Sequence, residues 1–280
     1  MKSQFRNLNF AIPIRLPTAA LTIRPGRAGL WCVLLLVLSG VCQAQPKSGL
    51  HPPQTINPAE AEAQGRALVS DLLAQRPEQG STNRGVMRLR EANGNQHEVP
   101  IRFEMVPQSG AWLNVYEALP VGHGTGEKLT ISHSDAQPNQ YTVCRTSENG
   151  EGEPRTLSGR QTMTPFARSD FWVADLGLEF LHWPKQRLVK KELRRSRSCN
   201  VLESINPQPA VGGYSRVRCW IDVESDGIVL AEAYDTQDKL LKEFAPKEIK
   251  KIQGQWQLEE MEIRNVQAGT RTRVVFDLGR

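Results

Sequence analysis

The sequence predicts a mainly β fold of the α+β class: an antiparallel sheet curled round a core, with amphipathic helices against it. Three observations carry this reading. Short alternating segments recur through residues 84–145 and 186–278, separated by turns rich in glycine, proline and asparagine. Two other stretches, 59–75 and 169–181, repeat their apolar residues at helical spacing instead. In Tyr214–Val223, Val217, Cys219, Ile221 and Val223 share one face while Arg216, Arg218 and Asp222 share the other, as in a sheet with one buried and one wet face.

Residues 1–44 read as a cleaved signal peptide. Lys2, Arg6, Arg15, Arg24 and Arg27 precede an apolar run, Ala28 to Leu38, and small residues lead to Ala44. That run is shorter than the roughly 20 residues a membrane span needs. A lipid-attachment reading at Cys42 is disfavoured, because Val41 and Ser39 stand where a small residue and a leucine are wanted. Without this segment, five of the 35 basic residues are gone and 30 face 30 acidic ones, so the mature chain is electrically neutral. The pI near 9.0 is therefore no argument for nucleic-acid binding. Removing 44 of 280 residues leaves 236, with Cys144, Cys199 and Cys219 as the mature cysteines, and the expected compartment is the periplasm.

Along the mature chain, residues 45–56 read as a flexible, proline-rich lead-in. A helix is expected over Ala59–Gln75, capped by Asn57 and opened by Pro58, with Ala61, Leu68, Val69 and Leu72 as its stripe and Pro77 as its stop. Strands are expected at Arg84–Arg90, His97–Val106, Ala111–Leu119, Lys128–His133 and Gln140–Arg145, then a polar loop over Ser147–Gly159. Ser169–Leu181 suits a second helix, with Trp172, Leu176, Phe180 and Trp183 in a stripe that Phe171 and Leu178 widen. Strands follow at Gln186–Leu193, Arg197–Ile205, Tyr214–Val223, Ile228–Asp235, Lys239–Phe244, Glu248–Ile252, Gln255–Arg264 and Thr270–Leu278. Tight turns between neighbours imply antiparallel pairing.

No catalytic constellation stands out. His51, His97, His123, His133 and His182 are scattered, with no metal-ligand spacing. The glycine run Gly122-His123-Gly124-Thr125-Gly126 lacks the lysine-serine ending of a phosphate loop and joins two strands. Glu259, Glu260 and Glu262 lie on one strand, and alternation parts Glu259 from the others. The basic run Lys190, Lys191, Arg194, Arg195 and Arg197, interrupted by Glu192, reads as a solvated face, with contact to acidic lipid headgroups as the rival reading. Cys199 and Cys219 sit about equally far from the centre of the 206–213 loop, which would set them face to face as a disulfide; two free buried thiols are the alternative. A curled sheet with helices against it can enclose an apolar cavity for one hydrophobic ligand.

From Phe166 onward the sequence resembles the LolA-like outer-membrane lipoprotein-sorting proteins. The resemblance is carried by Phe166-Ala167-Arg168-Ser169-Asp170-Phe171, Asp175-Leu176, Tyr214-Ser215-Arg216-Val217, Trp220-Ile221-Asp222 and Ala233-Tyr234-Asp235. Lys239-Leu240-Leu241-Lys242, Ile252-Gln253-Gly254-Gln255-Trp256 and Gly269-Thr270-Arg271-Thr272 continue the series. It implies one LolA/LolB-like domain over 57–280: an incomplete antiparallel β-barrel whose helices cover an apolar cavity, lined or lidded by Phe171, Trp172, Leu176 and Phe180. It implies a monomeric carrier without catalysis, cofactor, metal or nucleic acid. Such a carrier takes a lipid-modified protein or lipid from an inner-membrane ABC exporter to an outer-membrane receptor. An envelope sensor or protein-binding module on the same fold is the alternative. A lid-locking arginine is also implied, and Arg84, Arg88 and Arg90 lie in the strands where it is expected. A hydrolase is disfavoured, since nothing supplies a nucleophile and base together.

Overall fold

The structure, a computed structural model, describes residues 57–122, 124–134, 137–252 and 255–278. The signal peptide expected at 1–44, the lead-in at 45–56 and His123 lie outside the described residues.

The first helix, α1 (Pro58–Leu73), starts where its sequence signals place it. Ala59 N donates to Asn57 Oδ1 at 3.0 Å, and Pro58 occupies the first turn. Ala61, Gly65, Val69 and Leu72 form its buried face. Gly65 permits a close approach to the sheet: a Cβ there would lie 2.6 Å from the backbone of Arg187.

The first half of the chain supplies β1 (Ser81–Arg90), β2 (Gln96–Gln108), β3 (Ala111–Ala118), β4 (Gly126–Ser134), β5 (Gln140–Ser147), β6 (Gly150–Glu151) and β7 (Arg155–Leu157). A short helix, α2 (Val173–Leu176), lies in the long connection that follows. The second half supplies β8 (Lys185–Arg194), β9 (Arg197–Ile205), β10 (Arg216–Asp222), β11 (Ile228–Tyr234), β12 (Leu240–Ile252), β13 (Gln255–Asn265) and β14 (Thr270–Asp277). All pair antiparallel in one sheet of order β6-β5-β4-β3-β2-β1-β14-β13-β12-β11-β10-β9-β8, with β7 also on β5. The sheet is two meanders joined at the seam between β1 and β14. No pair joins β8 to β6 or β7 among the described residues, so the barrel is open.

This topology fixes the path of the connection. Residues 158–184 leave one edge of the sheet and must enter the other, so they cross the open side of the curled sheet as a strap. Their side chains fill the interior from above. Phe166, Phe171, Val173 and Leu176 join a core of Met87, Phe103, Tyr116, Leu129, Ile131 and Phe276. Phe180, Leu181 and Trp183 join a second, with Leu72, Leu202, Tyr214, Val217 and Cys219. Phe244 packs against both.

The strap replaces the helix expected over Ser169–Leu181. Only Val173–Leu176 is α-helical, Glu179–His182 is a 3₁₀ turn, and Leu178 between them is left-handed at φ 49°. A single helix would present one apolar stripe, whereas this segment feeds two cores on either side of its path. Gly177 marks the break, packed so closely that a Cβ would lie 2.3 Å from Tyr141 Oη.

Three other expectations change. The loop at 147–159 contains β6 and β7. The strands expected at 239–244 and 248–252 are one strand, β12, with the register shifting at Pro246–Glu248. The disulfide is absent: Cys199 and Cys219 are both free. The register sets Cys219 opposite Leu202 and Cys199 opposite Asp222. Leu202 and Cys199 are three residues apart, an odd step, so the thiols point to opposite faces. Cys219 enters the inner core; Cys199 lies with Val201, Trp220, Val229 and Leu230 in an outer-face cluster. That cluster also buries Trp220 on the face the alternation of Tyr214–Val223 marks as wet.

Candidate ligand groove and the latched strap

The structure places the four cavity candidates inside the curled sheet. Phe171, Leu176 and Phe180 are buried, and Trp172 stacks on Tyr214 with centroids 4.6 Å apart. They fill the interior instead of roofing an empty one. The cavity left beneath them, lined by Phe171, Leu176, Phe180, Tyr214, Val217 and Phe244 among others, holds only about 50 Å³. That is room for a few waters, not for an acyl chain.

A set of polar contacts pins the strap to the sheet. Lys242, on β12, is 2 % exposed and points inward. Its Nζ donates to Asp170 O at 2.7 Å and to Asp175 Oδ2 at 3.3 Å, and lies 3.5 Å from the centroid of the Trp172 ring. Tyr214 Oη donates to Asp175 Oδ1 at 2.8 Å, and Trp172 N to Asp175 Oδ2 at 2.8 Å. Asp170 accepts from Thr270 and Thr272 of β14, and its N–H returns a bond to Thr272 Oγ1 at 2.9 Å. Burial draws the Lys242 ammonium down to about 8, while Asp175 and Asp170 oppose the shift. Farther on, Gln186 Nε2 donates to Phe180 O at 2.9 Å and Trp183 O at 2.8 Å, holding the 3₁₀ turn.

The buried cation that pins the strap is therefore Lys242, paired with Asp175. Arg84, Arg88 and Arg90, the sequence candidates, are all exposed, and Arg88 bonds Glu98 at 2.9 Å. Their neighbours Met87 and Leu89 take the inward positions on β1. Lys242 carried a signal in the sequence: it shares the parity of Phe244, so a lysine stands on an apolar face.

Where the barrel fails to close, a groove of about 620 Å³ opens between α1 and the ends of β3–β5. Its apolar wall includes Val69, Leu73, Trp112, Leu178, Leu181 and Trp183, and its polar members include Arg66, Arg76, His133, Asn139, His182 and Gln186. The elements dictate this mixture. α1 supplies the flank of its buried stripe, and the strap supplies residues 177–184 after the Gly177 break. The wall opposite is stiff. His133 stacks on Trp112 at 4.8 Å and shares a 3.0 Å contact with Asn114 Nδ2. Burial drives His133 down to about 4, so its ring is neutral near pH 7. Asn139 Nδ2 donates to Gly177 O at 2.7 Å, and Tyr141 Oη to Glu179 Oε2 at 2.6 Å, tying the strap to β5. Burial also raises the Glu179 carboxyl.

The other singled-out groups are structural. Glu259 pairs with Lys250, Glu260 with Arg273, and Glu262 with Lys247 and Arg273. Among the described residues no group of three or more His, Cys, Asp or Glu side chains could hold a metal ion, and no helix is long and apolar enough to cross a membrane.

A family model described only as "Uncharacterized protein" matches residues 128–278, more than half of the chain. No curated protein matches. Among solved structures, a DUF1329 family protein from Desulfovibrio piger is 19 % identical with a TM-score of 0.62, covering 78 % of this chain and 92 % of that one. A domain from Vibrio parahaemolyticus assigned to outer-membrane lipoprotein sorting is 19 % identical with a TM-score of 0.64, covering 78 % and 94 %. A LolA superfamily protein from Nitrosomonas europaea is 13 % identical with a TM-score of 0.52, covering 78 % and 91 %. The chain thus belongs to the family of uncharacterised proteins that this model describes, a family LolA-like in its fold.

Proposed function

We propose that the protein is a non-catalytic periplasmic carrier that shields the acyl chains of a lipid or lipid-modified protein during transfer towards the outer membrane. The observation that carries this reading is the groove at the unclosed side of the barrel. Its volume of about 620 Å³ falls within the usual range of small-ligand sites, about 300–1,000 Å³, and an apolar wall that includes Leu73, Trp112, Leu178 and Trp183 runs beside a polar one. Each methylene buried there contributes about 0.8 kcal/mol, so a single chain is enough for useful affinity. The similarity in fold to lipoprotein-sorting domains supports the same reading. An inner-membrane ABC exporter as donor and an outer-membrane receptor as acceptor complete the proposal, with the carrier acting as a monomer.

A second reading, a protein-binding or sensor module, is favoured by the filled interior. Native mass spectrometry of gently purified protein separates the two. Carriage predicts an acyl-bearing adduct that Leu73→Glu, which puts a charge on the groove wall at a half-buried site, removes. Protein free of adduct that instead co-purifies with one stoichiometric polypeptide would sink the carrier reading.

A further inference from the structure

We infer that the tip of the β8–β9 hairpin is a docking surface for an anionic lipid bilayer. The inference goes beyond acyl binding, because the tip lies at the other end of β8 from the groove. Gln186 in the groove and Leu193 at the tip are seven residues apart, about 23 Å of strand.

The register assembles the surface. Leu193 pairs with Ser198, and Val223 N, just past the end of β10, donates to Ser198 O at 2.9 Å, so Leu193, Ser198 and Val223 form one row. Leu193 is 78 % exposed and Val223 45 %. Leu193 interrupts a basic run, with Lys190 and Lys191 before it and Arg194, Arg195 and Arg197 after it. Two nearby carboxylates, Glu192 and Asp222, are engaged within the fold, while Glu224, beside Val223, is exposed. Glu192 takes Lys190 at 2.6 Å and the Trp220 indole N–H; Asp222 takes Arg197 at 2.9 Å and the Ser225 hydroxyl. Lys191, Arg194 and Arg195 form no salt bridge among the described residues, although Arg194 lies in the field of Glu192. The Arg194 guanidinium stacks 5.1 Å from the Trp220 centroid, and Arg195 donates to Pro246 O at 3.1 Å.

The apex has its own signature. Arg195 and Ser196 turn the hairpin with φ of 49° and 62°, a geometry that Asn-Gly adopts without strain. The sequence keeps an arginine there despite that cost. The tip also belongs to the sheet's end strand, so among the described residues no further strand flanks it on that side. A hairpin tip carrying one aliphatic side chain among cations lines neither the groove nor the inner cavity, where a protein's anchor residue would seat. A bilayer needs none: the leucine enters the headgroup boundary while guanidinium groups meet phosphate oxygens.

Co-sedimentation of the full chain with vesicles tests this. Vesicles of phosphatidylcholine with phosphatidylglycerol should bind the protein, pure phosphatidylcholine should not, and salt should weaken the binding. Arg194→Gln/Arg195→Gln should lower partitioning about 25-fold, at about fivefold per cation, and Leu193→Ser roughly tenfold. Val211→Ser, at a 97 % exposed site in the 206–213 loop, should change nothing. All these side chains are exposed, and unchanged thermal unfolding confirms that the variants fold. Equal binding to both vesicle types, partitioning unaffected by both tip variants, or binding to polyglutamate in place of vesicles would overturn the inference.

Discussion

At the scale of single residues, two buried bases decide how the protein responds to pH. His133 is 5 % exposed and, drawn down to about 4 by burial, stays neutral in the folded state. Between its unfolded value of 6.5 and about 4, only the unfolded chain takes up the proton, so stability falls with the pH across that window. By pH 5 the loss is about 2 kcal/mol, and urea denaturation at pH 7 and pH 5 should show it shrinking in His133→Asn. Lys242 acts at the alkaline end. Below about 8 both states carry its proton; between about 8 and 10.5 only the unfolded chain does. Stability should therefore rise across that window, by at most roughly 3 kcal/mol. Lys242→Met should flatten the rise, and a rise of equal size in the variant would show that other groups cause it. Lys242 also shows how far residue-level reading reaches. Asp175, Tyr214 and Lys242 all stand among the residues that carry the family resemblance. Yet alternation alone gives a lysine's face and not its partner, which lies 67 positions away in the chain.

At the scale of elements, strands were far more legible than the strap. A strand is set by an alternation of period two against a single sheet, and Arg197–Ile205 comes out with the bounds its sequence suggests. The strap obeys no period because its neighbours lie on two sides. Phe171 and Leu176 answer to one core and Phe180 and Trp183 to the other, and a helical wheel merges them into one false stripe. Gly177 is the element's hinge point. Tyr141, against which it packs, is 1 % exposed and bonded to Glu179 and Asn139, so it has little room to yield. Gly177→Ala should therefore cost about 1–3 kcal/mol through overpacking, read from the denaturation midpoint. A loss under half a kcal/mol would mean that the strap shifts freely.

At the scale of the whole molecule, the first and last strands meet at the centre of the sheet. Phe276 of β14 lies 6.4 Å from Phe103 across that seam, and Phe244 links the two cores. Phe276→Ala should cost about 3–5 kcal/mol and shift one shared transition, followed by both tryptophan fluorescence and circular dichroism. Two separated transitions would show that the meanders fold independently. The sequence by itself determined the class of fold, α1 with its Asn57 cap, most of the strands and the inward placing of Val217, Cys219 and Ile221. These follow from short-range periodicity and turn chemistry. Only the tertiary structure decided that β1 pairs with β14, that the barrel stays open, and that residues 158–184 must cross its mouth. It also decided that Cys199 and Cys219 lie back to back, and that the roomiest space described is a groove of mixed lining beside α1. Register and closure depend on pairings between distant segments, and a one-residue shift in register, invisible to any local pattern, moves a side chain from one face of the sheet to the other.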